Sequence, residues 1–351
     1  MLVLLFTALL SPMVRALPAW TAATAGEGAW LTGLLAFPVL LAMGWIFRGL
    51  FRAAPAGSGL AQIFQTVLGK VLGGGLTIIY GIWALFLLCL QARLYGERML
   101  ATGYRNASVT VFLAVLLALV LWMGRKKLAA FARAAEVFYL ALALALGLVL
   151  AFSILDLTPE NVLPVWVSDL PGAAAATLVP LGVAGAGVFA AFFAGQITVM
   201  EGDRRRCVRW LAAGCLILTA LQFAVLGQLG PELSAQMEEP FFEVARGVGV
   251  DGAFQRVESV VVALWAFSDL ALLGLLVFAC RNMSETLLGQ RGGKWSVPVV
   301  AALTFLGAVF LFPDDFTAQR AASEGVLLGN LLLGFGVPAL LRLVQKVKQA
   351  G

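Results

Sequence analysis

Ser11-Pro12-Met13-Val14-Arg15, inside the first apolar stretch, and Gly182-Val183-Ala184-Gly185-Ala186-Gly187, inside the sixth, are the two segments on which the reading of the fold turns. Pro12 removes an i→i−4 hydrogen bond from any helix that holds it, and Arg15 puts a charge well inside an apolar run. The second segment is too rich in glycine to be a stiff helix. Unwound backbone at membrane depth persists only where protein buries it or where it lines a cavity. Two interruptions five apolar stretches apart are the mark of a five-plus-five inverted repeat, with a site at the bilayer midplane between half-helices. Taken singly, each segment also reads as a proline kink or as a small-residue packing face. Their matched positions favour the repeat.

Outward from these segments the chain divides into ten apolar spans, at 1–22, 29–50, 72–95, 107–123, 130–155, 173–198, 208–229, 255–280, 295–312 and 323–345. Each is long enough to cross a hydrocarbon core of about 30 Å at about 1.5 Å per residue. The expected fold class is therefore an all-α membrane protein with ten transmembrane helices and broken helices 1 and 6. It forms a single membrane domain, with repeat one at about 1–155 and repeat two at about 173–345. The first stretch lacks a basic n-region and a small-residue cleavage site, so it reads as a span rather than a signal peptide.

The loops alternate in charge. Those after residues 47, 124, 200, 280 and 341 hold 17 of the 24 Lys and Arg, whereas 14 of the 19 Asp and Glu fall in or beside the other set. Basic loops stay on the cytoplasmic side, which places both termini there. A chain that is 61% hydrophobic and 12% charged, with mean hydropathy +0.96, is no ordinary soluble domain, where about 25% of residues are charged. Its pI near 9.2 follows loop sidedness, so runs such as Arg125-Lys126-Lys127 read as topology determinants beside anionic lipid rather than as a nucleic-acid surface.

With no histidine and four scattered cysteines, the commonest metal ligand and Ser-His or Cys-His catalysis are absent. No Gly-rich loop ends in Lys-Ser or Lys-Thr. The chain is not expected to be an enzyme, and no catalytic residue, cofactor or metal site is assigned. Two non-spanning helices are expected. One is amphipathic from Leu60 and lies on the cytoplasmic face; the other opens at Pro240 within the outer loop 231–254, a lid, partner surface or plain connector.

The candidate ligand-binding residues are Ser11, Pro12, Met13, Val14 and Arg15 in span one, Gly182, Gly185 and Gly187 in span six, Tyr80 and Trp83 in span three, where Gln91 faces the same cavity, and Trp265 in span eight. In span eight, Glu258, Val262, Trp265 and Asp269 fall at i, i+4, i+7 and i+11, one stripe from the outer mouth to the bilayer centre. A lone carboxylate at that depth costs at least about 2.5 kcal/mol, so Asp269 is expected to be protonated or paired, with Arg15 as partner. Ligand or proton coupling and a structural ion pair both fit.

Leu229-Gly230-Pro231-Glu232-Leu233, then Pro240, then Phe254-Gln255-Arg256-Val257-Glu258 leading to Leu264-Trp265, resemble the B subunits of spore nutrient-germinant receptors. Asn161-Val162-Leu163-Pro164-Val165 is similar to the family's Asn-Leu-Leu-Pro element, and Leu68-Gly69-Lys70-Val71-Leu72-Gly73 to the end of its amphipathic helix. The chain differs in span one, where Ser11 and Met13 stand in place of Gly-x-Gly and Arg15 replaces an apolar residue. The resemblance implies the amino acid–polyamine–organocation transporter superfamily and a multi-pass place in the spore inner membrane. It also implies a complex with receptor A and C subunits and an amino acid-like germinant that triggers germination. A proton-coupled amino acid permease using Asp269 and a ligand-free scaffold subunit are the rival readings.

Overall fold

The computed structural model describes residues 1–101, 107–197, 202–247 and 257–350, and in the last segment side chains from Trp265 to Gln349. The described residues hold no strand. In chain order, α1 (Leu2–Ala25) meets α2 (Thr32–Arg52) through a 3-10 turn that starts at Gly26, whose φ of +52° suits glycine. Then come α3 (Leu60–Leu68), α4 (Lys70–Ala101), α5 (Val109–Gly124) and α6 (Leu128–Ser153). The sixth crossing is made of α7 (Leu170–Ala176), α8 (Leu178–Gly185) and a 3-10 run over Ala186–Gln196. The seventh is α9 (Asp203–Leu229), followed by the short α10 (Pro231–Gln236) and α11 (Pro240–Gly247). α12 (Val257–Phe310) holds crossings eight and nine, bent at Gly289 with φ +74°. The tenth runs through α13 (Asp315–Arg320), a π turn at Ala321–Val326, α14 (Leu327–Leu331), a second π turn at Leu332–Gly336 and α15 (Val337–Ala350).

Seven helical stretches among the described residues are long and apolar enough to cross a bilayer. Two of them, Leu2–Arg52 and Trp265–Phe310, contain the bends at Gly26 and Gly289 and so count twice, and Val109–Gly124 is a shorter apolar helix. These stretches account for the ten expected spans of a multi-pass membrane protein.

The first expected break is corrected. α1 stays helical from Leu2 to Ala25 despite Pro12 and Pro18. A serine of α12 bridges the weak step: the Ser11 amide donates to Ser268 Oγ at 2.8 Å, and the Ser268 hydroxyl donates at 2.5 Å to the Thr7 carbonyl, which a regular ladder would offer to Ser11. An inserted hydroxyl loosens the helix without unwinding it. The sixth span is irregular as expected, although its glycines Gly182 and Gly185 remain α-helical and the 3-10 geometry begins after them. The irregular tenth span went unforeseen.

α3 is amphipathic, yet its apolar face does not lie on the bilayer surface. Leu60, Ile63 and Phe64 are fully buried, in one core with Tyr80, Phe189 and Phe193. Gly69, with φ +87°, turns the chain back so that α4 runs against α3, and the approach is so close that a Cβ on Gly73 would strike the Phe64 backbone. α11 begins at Pro240 as expected. Residues 248–256 of the outer loop lie outside the described residues. At the start of α13 the Thr317 amide donates to Asp314 Oδ1 at 2.7 Å, which holds that exposed carboxyl below its usual range.

Candidate functional site

The polar residues of spans one, three and eight converge on Asp269. Its side chain is wholly buried: Arg98 Nη1 lies 3.0 Å from Oδ2, and Gln91 Nε2 donates to Oδ1 at 2.8 Å. Arg98 also donates to Ser11 Oγ at 3.3 Å, pairs with Glu239 Oε1 at 3.2 Å, and lies over the Trp265 ring at 5.6 Å. One guanidinium thus ties α4 to α1, α12 and the residue preceding α11. Asp269 is paired, as its depth required, but with Arg98 and not with Arg15. The pairing expected between Arg15 and Asp269 fails because Arg98 reaches inward from the last turns of α4 and satisfies the carboxylate first.

Arg15 is left in an unusual state. It is 9% exposed, and its Nε and Nη1 have no hydrogen-bond partner among the described residues. A buried donor without an acceptor costs about 1–3 kcal/mol, more for a charged group. The residue lines two spaces. Towards the acidic face it borders a vestibule of about 630 Å³ whose wall carries Glu97, Glu238, Glu239, Glu243 and Asp315. Inward it borders an internal cavity of about 50 Å³, walled by Pro12, Gln91, Val183, Ala186, Leu272 and Asn330 among others. That cavity lies between spans one, three, six, eight and ten, and no carboxylate among the described residues lines it. A water molecule occupies about 30 Å³ of liquid, so the cavity as it stands is smaller than an amino acid.

The other expected site residues divide. Ser11 and Pro12 belong to the site, through Arg98 and the cavity wall. Met13 packs with Val179 and Val183, and Val14 with Trp265 and Phe241, so both are core residues. The Trp265 ring lies under Arg98 and packs against Phe241 and Phe242, and it is not part of the cavity wall. Tyr80 is corrected to a structural residue: it is fully buried among Phe64, Phe189 and Phe192, and its hydroxyl donates to the Leu333 carbonyl at 2.5 Å. Trp83 does not line the cavity but donates from Nε1 to Asn330 Oδ1 at 2.9 Å, orienting a residue that does. The side chain of Glu258 lies outside the described residues.

The glycines are corrected most plainly. A Cβ on Gly182 would lie 2.6 Å from Leu327 Cδ2, one on Gly185 would overlap the Asn330 carbonyl oxygen, and one on Gly334 would lie 2.6 Å from Gly185 Cα. Gly187 faces Leu5 and Leu9 at ordinary contact distance. Gly182, Gly185 and Gly334 let the sixth and tenth spans cross closely, the small-residue packing of membrane helices, and Val183 and Ala186 form the cavity wall instead. Gly185→Leu is therefore expected to lose about 1–3 kcal/mol or more by overpacking. Thermal unfolding in detergent checks this. A variant that folds and expresses normally would return Gly185 to the ligand site.

Arg98, Ser268 and Asn330 were missed. Arg98 lies beyond the apolar window that ended span three at residue 95, but it follows Gln91 by seven residues, on one helical face, and that spacing was the available signal. Asn330 sits in the short α14 between two π turns, a geometry common at functional sites and without a clear sequence code.

Residues 1–316 match the sequence model of a family described as spore germination protein. Spore germination protein KB of Bacillus subtilis (strain 168) is 27% identical over 148 residues, which are 42% of this chain and 39% of that protein. The match thus spans about two fifths of that curated relative. Among solved structures, MhsT in complex with L-phenylalanine is similar over 96% of this chain and 91% of its own, with a TM-score of 0.56 and 16% identity. This likeness shows a shared all-α, transporter-like membrane fold.

Proposed function

The chain belongs to the spore germination protein family of permeases, and on that premise we propose that it is a receptor subunit that binds a small carboxylate-bearing nutrient, an amino acid in the first instance. The observation that carries this reading is Arg15, a buried guanidinium with Nε and Nη1 unpartnered among the described residues, placed between an acidic vestibule and a cavity lined by no described carboxylate. Arginine presents paired N–H donors in a fork that matches a carboxylate. The ammonium group would meet the side-chain oxygen of Asn330, the acceptor on the cavity wall beyond Gln91. The vestibule acids attract the ammonium end and repel free anions, so they favour a zwitterion over a simple carboxylate. The L-phenylalanine held by the fold neighbour accords with this class.

In this reading residues 1–155 and 173–345 are the two inverted repeats and the cavity opens between them. Because about 50 Å³ is too little for an amino acid, binding favours a conformation in which the spans separate, and that shift is what a receptor passes to A and C subunits. Germination in the spore inner membrane is the process implied. The rival is a permease that carries its ligand across, driven by protons at Asp269. A binding screen of amino acids and nucleosides on the purified chain, followed by uptake into vesicles, separates the two. Amino acid binding without accumulation supports the receptor, accumulation supports the permease, and no binding by folded protein supports a scaffold.

Both termini are proposed to be cytoplasmic. Cys207 is exposed on the basic face, whereas Cys89, Cys215 and Cys280 are buried. In intact cells an impermeant thiol reagent is expected to leave the native chain unlabelled and to label Glu243→Cys on the acidic face. Labelling of Cys207 alone would reverse the orientation.

A further inference from the structure

On the basic face, Arg48 and Arg52 of α2, Arg204 of α9 and Arg342 of α15 surround one open cavity of about 480 Å³, with Trp45 at its edge. No carboxylate lines it, and none of the four has a salt-bridge partner among the described residues. Arg342 is held in place: Nη1 donates to Gln345 Oε1 at 2.8 Å, Gln345 Nε2 donates to the Leu50 carbonyl at 3.4 Å, and the guanidinium lies so close to α2 that a Cβ on Gly49 would be 2.6 Å from Nε. Like charges four apart on a helix, such as Arg48 and Arg52, repel each other. The negative end of α2 offsets this for Arg52 in its last turn, but Arg204 stands in the first turn of α9, where the helix dipole opposes a cation. Loop sidedness asks only that basic residues lie on this face. It does not ask that three separate helices aim theirs at one cavity.

The cavity continues along the molecule. Trp45, Arg48 and Arg204 also border an adjoining groove of about 460 Å³ between α2 and α9, whose other walls are chiefly apolar, with Leu40, Leu41, Val208 and Leu211. Asp203, the one carboxylate on the groove among the described residues, faces Arg206 at 3.8 Å. A cationic pocket opening into an apolar groove, with a tryptophan at the junction, matches a phosphate headgroup joined to an acyl chain. We propose that this is a specific binding site for one anionic phospholipid, seated with its phosphate among Arg48, Arg52, Arg204 and Arg342 and an acyl chain between α2 and α9. It is independent of the proposed nutrient site, with whose cavity and vestibule it shares no lining residue.

The test is thermal unfolding of the full chain in detergent, titrated with phosphatidylglycerol, phosphatidylethanolamine or inorganic phosphate. Phosphatidylglycerol is expected to raise the unfolding temperature saturably, and the other two to do so weakly or not at all. In the double variant Arg52→Gln with Arg204→Gln, both exposed positions, half-saturation should need about thirtyfold more lipid, at roughly fivefold per basic residue near an anionic surface. Arg125→Gln with Lys127→Gln, on the same face but outside the pocket, should stay within about twofold. Equal stabilisation by phosphatidylethanolamine, an equal loss in the Arg125 and Lys127 control, or full reproduction of the effect by inorganic phosphate would each overturn the proposal.

Discussion

Arg98→Met is expected to destabilise the protein by about 3–5 kcal/mol, because it leaves Asp269 wholly buried with its cationic partner gone. Gln91 would remain on Oδ1, but a single amide does not balance a charge at that depth. Arg98→Met with Asp269→Leu removes both ions and should recover much of the loss. The quantity to measure is the coupling in the double-mutant cycle, from thermal unfolding in detergent. Additive losses would mean that the two side chains do not act as a pair. Arg98 also reaches Glu239, so recovery is expected to be incomplete, and adding Glu239→Gln should narrow the remainder.

Arg15→Met should show the opposite profile. The guanidinium has no partner for Nε or Nη1 among the described residues, so replacing it with an apolar side chain of similar reach should leave stability unchanged or raise it. Ligand affinity should fall by about 2–5 kcal/mol, the usual penalty for truncating one partner of a buried charge pair at a binding site. A stable protein that no longer binds is the signature of a residue kept for its ligand. If Arg15→Met unfolds the chain as Arg98→Met does, the residue is structural. The two arginines line one vestibule, which makes the contrast direct.

Much of the architecture was legible because a membrane span declares itself by length and apolar composition, and because the loop charges alternate. The need for a partner at Asp269 was legible for the same reason, since burying a lone carboxylate is costly. Which arginine supplies that partner was not. Arg15 and Arg98 both border the vestibule, and only the packing of α4 against α12 decides between them. The glycines of span six misled because a small residue serves unwinding and close packing equally well, and a single chain does not show what stands opposite. Leu327 and Asn330 of span ten were opposite. The continuity of α1 through Pro12 depended on Ser268, which lies 257 residues from Ser11 and carries no local signal. Tyr80 was placed in the cavity on aromatic character alone, whereas its neighbours Phe64 and Phe192 come from α3 and the 3-10 run.

The most direct test of the central claim is calorimetric titration of the purified chain with the tightest-binding amino acid from the screen and with its carboxamide. The amide keeps the ammonium group and side chain but lacks the charge that Arg15 is proposed to hold. The wild-type chain is expected to bind the acid at least about thirtyfold more tightly than the amide, the lower end of the penalty for an unpaired buried charge. Arg15→Met is expected to bind both equally weakly. Equal affinity of the wild-type chain for acid and amide, or unchanged discrimination in Arg15→Met, would contradict the account.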